Sequence, residues 1–237
     1  MNSNKLVYGG KAVSDFGIMI FSPQGWNKPQ PSVDKVSIPG RNGDIYYFNG
    51  NYFNISLEYV AIIQNDFSTK YEALVSYLYA DPGYKRLEDG DRPEVFRMAA
   101  VTNISPQIGK DNNSGSVRIT FDCKPQQWLK SGEIPVTLTA SGTVYNPTRF
   151  DARPLVRVYG TGELGVGDGT ISILQASGYT DIDFEEQEAY KDDYSVNCNE
   201  NIYVAGHDFP VLHPGPNTIT LGQGITRVDL KSRWWKI

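Results

Sequence analysis

Ser37-Ile38-Pro39-Gly40-Arg41-Asn42-Gly43 is a turn punctuated by Pro and Gly and carrying one cation. It leads through Asp44 into a long aromatic, alternating run from Ile45 to Ile63. In the run, Ile45-Tyr46-Tyr47-Phe48, then Asn49-Gly50-Asn51, then Tyr52 onward form a hairpin signal with Asn-Gly at its tip. In the second arm Phe53, Ile55, Leu57 and Tyr59 alternate with Asn54, Ser56 and Glu58, the period of a half-buried strand. A chain that presents a rigid loop to a neighbour needs such a device. Gly40 and Gly43 let the backbone take positive φ, and the fork of Arg41 suits a carboxylate or carbonyl of another subunit. Pro39, Gly40, Arg41, Asn42 and Gly43 on the turn, with Tyr46 and Tyr47 beyond it, are therefore candidate interface residues.

Outward from this stretch the pattern stays mainly β. Val13–Phe21 reads as a strand after the Gly9-Gly10 turn, and 25–32 as a Pro-rich loop. One helix stands out: Tyr71, Leu74, Val75 and Leu78 fall on one face. Thr69 with Glu72 forms a capping box, and Asp81-Pro82-Gly83 ends the helix. Strands at 95–104 and 116–123 follow, joined by the polar loop 109–115. Lys130-Ser131-Gly132-Glu133 reads as a seam, dividing the chain into 1–133 and 134–237. The second part carries short strands only, at 155–159, 170–174, 181–185, 217–221 and 225–230, with turn signals between them: a β-sandwich.

Composition narrows the function classes. The chain has 237 residues and a net charge of −5, without a Lys/Arg cluster to track a phosphate backbone. Specific nucleic-acid binding is not expected, although a mildly acidic wall can let DNA slide past. Cys123 and Cys198 make no disulfide framework and fit free core thiols. The start, Met1-Asn2-Ser3-Asn4-Lys5, has no apolar signal segment, and no run is long enough to span a membrane. The expectation is synthesis and retention in the cytoplasm until release by other means. Fifteen tyrosines suit strands and interfaces, since Tyr joins a large contact area to a polar tip.

No catalytic constellation emerges. His207 and His213 have neither zinc-type spacing nor a nucleophile elbow and read as loop histidines. Asp181, Asp183 and Glu185 share one strand face. That face could be a glycosidase pair or a calcium site, and reads first as the wet side of a sandwich strand. The glycines at 160–169 precede a strand and make no phosphate cradle. Asn54-Ile55-Ser56, Asn103-Ile104-Ser105 and Asn112-Asn113-Ser114 match the glycosylation pattern by chance. Trp234 and Trp235 point opposite ways in an extended segment, one to the core, and Trp235 joins the candidate interface residues. No cofactor and no metal are expected.

Five pieces together carry a resemblance: Ile38-Pro39-Gly40-Arg41-Asn42-Gly43; the aromatic run after it; Phe121-Asp122-Cys123-Lys124-Pro125; Asn146-Pro147 through Arg153-Pro154-Leu155-Val156-Arg157-Val158-Tyr159-Gly160; and Phe209-Pro210-Val211-Leu212 with Pro214-Gly215 and the terminal Arg233-Trp234-Trp235-Lys236-Ile237. In this order and spacing the chain resembles the distal tail proteins (Dit) of siphophages and prophages of Gram-positive bacteria. The resemblance implies an N-terminal ring-forming β domain with one α-helix, followed by a galectin-like β-sandwich that projects outward. It implies a non-enzymatic baseplate hub protein at the tail tip, assembled in the host bacterial cytoplasm as a hexamer with an open centre. The implied partners are other copies of the chain, the tail tube protein, the tail-associated baseplate protein and a receptor-binding protein, with no specific nucleic acid and no membrane. Longer relatives hold inserted carbohydrate-binding modules, for which this chain has no room. The alternative reading is a carbohydrate-binding β-sandwich used in adhesion.

Overall fold

The computed structural model describes residues 5–237 except Ser22, Gln24, Trp26 and His207. The readings made for Met1–Asn4 and for His207 lie outside the described residues. The chain divides into two compact units, Met1–Gln127 with Ile237, and Trp128–Lys236. The division falls ahead of the expected seam at 130–133, because that segment is tied into the second unit. The Gly132 carbonyl accepts from the Arg233 N–H at 2.9 Å, and the Leu129 N–H donates to Trp234 at 2.8 Å.

The first unit is an antiparallel sheet whose main path runs Lys11–Ala12, Leu6–Tyr8, Lys85–Asp89, Val95–Ile108, Gly115–Cys123, Ile55–Ile63 and Met19–Phe21. Strand Ile55–Ile63 pairs along its full length with Gly115–Cys123. Its residues alternate as the sequence requires: Ile55, Leu57, Tyr59, Ala61 and Ile63 are all buried. Facing them, Val117, Ile119, Phe121 and Cys123 are fully buried. Tyr8 and Tyr59 clasp the Phe121 ring at 5.2 and 5.9 Å, and each large apolar side chain so placed contributes about 1.5–3 kcal/mol. Burial pushes the Cys123 thiol up to about 12, so it packs as a small apolar group and does not react as a thiolate.

The helix spans Phe67–Tyr79 and buries Phe67, Leu74 and Leu78, with Tyr71 packed against the same core. The expected capping box is corrected. Thr69 lies inside the helix, and the N-cap Asp66 is left-handed, with no side-chain cap bond. The loop before strand Gly115–Cys123 supplies the cap instead. Asn113 accepts the Asp66 N–H on Oδ1 at 2.9 Å and the Phe67 N–H on its carbonyl at 3.1 Å. A second correction concerns 13–21: Val13–Phe16 is a 3-10 turn, and only Met19–Phe21 is strand.

The second unit is a β-sandwich. One sheet has the strand order Val136–Leu138, Ile225–Lys231, Leu155–Gly160, Tyr179–Asp183, Glu188–Lys191, Val196–Asn197. The other runs Gly142–Asn146, Gly215–Leu221, Gly162–Val166, Gly169–Ile173, Ile202–Val204. Val156, Val158 and Ile182 from the first sheet meet Leu164, Val166, Ile171, Ile173 and Ile219 from the second, all at most 2% exposed. Two neighbouring stretches of chain change sheets side by side. One steps from Leu155–Gly160 to Gly162–Val166, the other from Gly215–Leu221 to Ile225–Lys231. At this corner a Cβ on Gly160 would come within 2.1 Å of the Gly224 carbonyl, and one on Gly224 within 2.3 Å of the Thr161 carbonyl. The glycines in this part of the sequence let two backbones cross in contact.

Candidate functional site

The first unit carries a separate two-stranded sheet, Pro31–Ser37 paired antiparallel with Asp44–Tyr52. It forms an arm. The turn lies at 38–43, where the Arg41 N–H donates to the Ile38 carbonyl at 3.1 Å and Gly40 has φ +82°. Pro39 before a left-handed Gly40 makes a type II turn, which pre-sets the first φ and needs Gly at the second position. This corrects the expected hairpin tip. Asn49-Gly50-Asn51 sits inside a continuous strand, where the register slips between Pro31/Val33 and Gly50 takes φ +82°. Asn-Gly here forms a bulge, which bends and twists the arm.

Along the arm, successive residues face opposite ways. Val36 opposes Ile45 on one side, with Tyr47 next along. Val33 opposes Phe48 on the other, with Tyr46 next along. Neither side is covered: Val36 is 54% exposed, Tyr46 57% and Tyr47 65%, with Ile45 and Phe48 also exposed. Phe53, expected to point inward, is exposed at the arm's base. Pro39, Gly40, Arg41, Asn42 and Gly43 are all exposed on the tip. Val33, Val36 and Phe48 join this apolar group through the pairing of Pro31–Ser37 with Asp44–Tyr52, which the hydrophobic pattern does not announce.

Trp235 belongs to the second unit. It is half-buried, stacked on Phe150 at 4.3 Å, and its Nε1–H donates to the Asp151 carbonyl at 2.8 Å. Trp234 is in the core. Close by, His213 is held between two carboxylates, Nδ1 at 2.9 Å from Asp151 and Nε2 at 3.2 Å from Asp168. These hydrogen bonds, Asp151's first, raise the His213 pKa above its usual value of 6.5. A raised histidine stabilises the fold fully below the unfolded pKa, and that contribution is lost as pH rises through the folded one. The site is exposed, so the effect is below about 1 kcal/mol. Between pH 6 and 8.5 the wild-type melting temperature is expected to fall more than that of His213→Gln; parallel curves would refute the bridge.

The carboxylates expected on a wet face at 181–185 are divided: the strand ends at Asp183, so Glu185 lies exposed beyond it, and Asp181 and Asp183 are covered by arginines instead of water. Asp181 is 5% and Asp183 2% exposed. Asp181 takes both forks of Arg157 at 2.7 Å. Asp183 takes those of Arg233 at 2.6 and 2.8 Å and also accepts the Glu185 and Glu186 N–H groups. Burial pushes Asp183 up, but Arg233 and the two backbone N–H groups outweigh it, and its pKa lies below 3.8. Its contribution to stability is therefore present above about 4 and lost as pH falls through the folded pKa. Arg233→Met leaves a buried charge half-satisfied and is expected to cost about 2 kcal/mol, measurable by urea unfolding. Adding Asp183→Asn should recover part of that loss. A loss for Arg233→Met within error of zero would refute the pairing.

The fold matches a solved structure end to end. The crystal structure of the SPP1 Dit protein, described as a paradigm of the hub adsorption apparatus in phages infecting Gram-positive bacteria, superposes with a TM-score of 0.71 at 16% identity, covering 100% of both chains. The likeness is one of fold, here mainly β with one α-helix among the described residues. No family model matches the sequence, and no curated protein matches it.

Proposed function

We propose that the chain is a structural distal tail protein, the baseplate hub of a long-tailed phage or prophage. Its copies join through the arm into a closed hexameric ring. The ring links the tail tube on one side to the tail-associated baseplate protein on the other, and the C-terminal sandwich offers a seat for a receptor-binding protein. The work is geometric and involves no catalysis.

The observation that carries this reading is the arm. It is a two-stranded sheet with apolar side chains exposed on both sides, in a chain whose fold parallels a hub protein from end to end. A pair of strands alone is marginally stable in water, so a neighbour of the same kind is the natural cover. Ring contacts of this type are heterologous and must close to avoid a filament, and a permanent ring needs on the order of 2,000 Å² per contact. Light scattering is expected to give about six times the 26.4 kDa of one chain, with rings visible in negative stain. Arg41→Glu reverses the charge at the tip and is expected to yield monomers. A wild-type chain that stays monomeric at high concentration and binds no tail component would overturn the proposal.

A further inference from the structure

Strand Val95–Ile108 puts a cation where its period calls for an apolar residue. Val95, Arg97 and Ala99 alternate onto the inward face and are all buried, with Arg97 only 6% exposed. Strand register sets Arg97 beside Leu87, a core residue. Its hydrogen bonds run from Nη1 to the Lys124 and Pro125 carbonyls at 3.4 and 3.3 Å, both long. No carboxylate pairs with it among the described residues, and its charged neighbour is a second cation, Arg92. Burial lowers the Arg97 pKa, yet a guanidinium keeps its proton in a protein. A buried charge without a counter-charge is strongly destabilising.

Arg97 lines a cavity of about 20 Å³ together with Tyr59, Asp89, Arg92 and Gln127. Leu57, Leu87 and Val95 form its apolar wall. Gln127 is 1% exposed, and its Nε2 has no hydrogen-bond partner. Its other end is fixed, because Arg92 Nη1 donates to Gln127 Oε1 at 3.1 Å. Arginine only donates, so the amide cannot be turned round, and Nε2 stays the open donor. Asp89 is the carboxylate of the lining, and both its oxygens are engaged. The Tyr59 hydroxyl donates to Oδ2 at 2.6 Å and the Asp91 N–H to Oδ1 at 2.8 Å. The lining therefore sets two cations and an open amide donor against one occupied carboxylate. The volume takes a single occupant about the size of a water molecule. Water would satisfy Nε2 and leave the excess charge standing, whereas an anion of that size answers both.

We propose that this cavity in the first unit binds one monatomic anion of the chloride class, held by Gln127 Nε2 and serving as the counter-charge of Arg97. Phosphate, sulfate and carboxylate ligands are too large for it. The proposal goes beyond the hub reading and does not depend on it, since no residue of the arm lines the cavity.

Calorimetry of the full-length protein tests it, with sodium gluconate replaced stepwise by sodium chloride at a constant ionic strength of about 0.15 M. The melting temperature is expected to rise by about 3 °C or more and to level off as the site fills. Gln127→Met removes the open donor and Arg97→Met removes the buried charge, and each should abolish most of that rise. Wild-type crystals soaked in sodium bromide give a second readout that holds even where a variant fails to fold. An anomalous peak is expected in the cavity, within about 3.5 Å of Gln127 Nε2. No dependence on chloride would overturn the proposal, as would an equal rise in wild type and both variants, or a cavity without bromide. A bromide peak without the thermal rise would mean an adventitious ion only, and would overturn it too.

Discussion

Replacing Tyr46, Tyr47 and Phe48 together by Ser is expected to turn the assembled particle into monomers at micromolar concentration. These rings are exposed on the two sides of the arm, so within a single copy they support little. A buried aromatic anchor at an interface is worth about 2 kcal/mol or more. Three of them amount to roughly 6 kcal/mol per contact, a loss of affinity of more than about ten-thousand-fold. In the proposed ring every copy would make two such contacts, so the loss would act twice on each copy. Far-UV circular dichroism and urea unfolding of the variant should match wild type to within about 0.5 kcal/mol, as is usual for exposed positions. An unchanged particle mass in light scattering would remove the arm from the interface.

Gly160→Ala is expected to destabilise the second unit by about 4 kcal/mol, lowering its melting temperature by roughly 15 °C. The added methyl would meet the Gly224 carbonyl at 2.1 Å, and the residue sits at φ +102°. A carbonyl oxygen within the backbone cannot swing aside as a side chain can. Gly224→Ala should cost a similar amount, through the Thr161 carbonyl at 2.3 Å. The double variant should cost less than the two losses added, because one opening of the corner relieves both contacts. Additive losses in calorimetry would show that the two glycines serve separate places.

These glycines also mark what the sequence conceals. Read as a run, Gly160 to Gly169 breaks every strand pattern, yet Gly162–Val166 is a strand whose Leu164 and Val166 are fully buried. Gly lowers strand preference locally, and crossing geometry outweighs that preference. Where one face of an element meets the core, the pattern is plain. Ile55–Ile63, the Leu74/Leu78 face of the helix and Leu155–Gly160 all follow from their periods. The hairpin tip expected at Asn49-Gly50 was misplaced because both Asn-Gly and Pro39-Gly40 satisfy turn chemistry, and only the pairing of Pro31–Ser37 with Asp44–Tyr52 shows that the second is the tip. The burial of Asp183 depends on Arg233, fifty residues onward, and His213 lies between two aspartates distant in the chain. Such long-range partners leave no local signature.

The arm has one more consequence. A hairpin that, among the described residues, has no third strand and no helix over it has little reason to hold its shape before it touches another copy. Ordering and docking then become a single event, in which the first encounter bears the entropy of stiffening about twenty residues. Assembly would therefore release more heat capacity than rigid surfaces of equal area, and it would switch on sharply with concentration. Scattered copies would remain apart, and a crowded site of synthesis would commit them together.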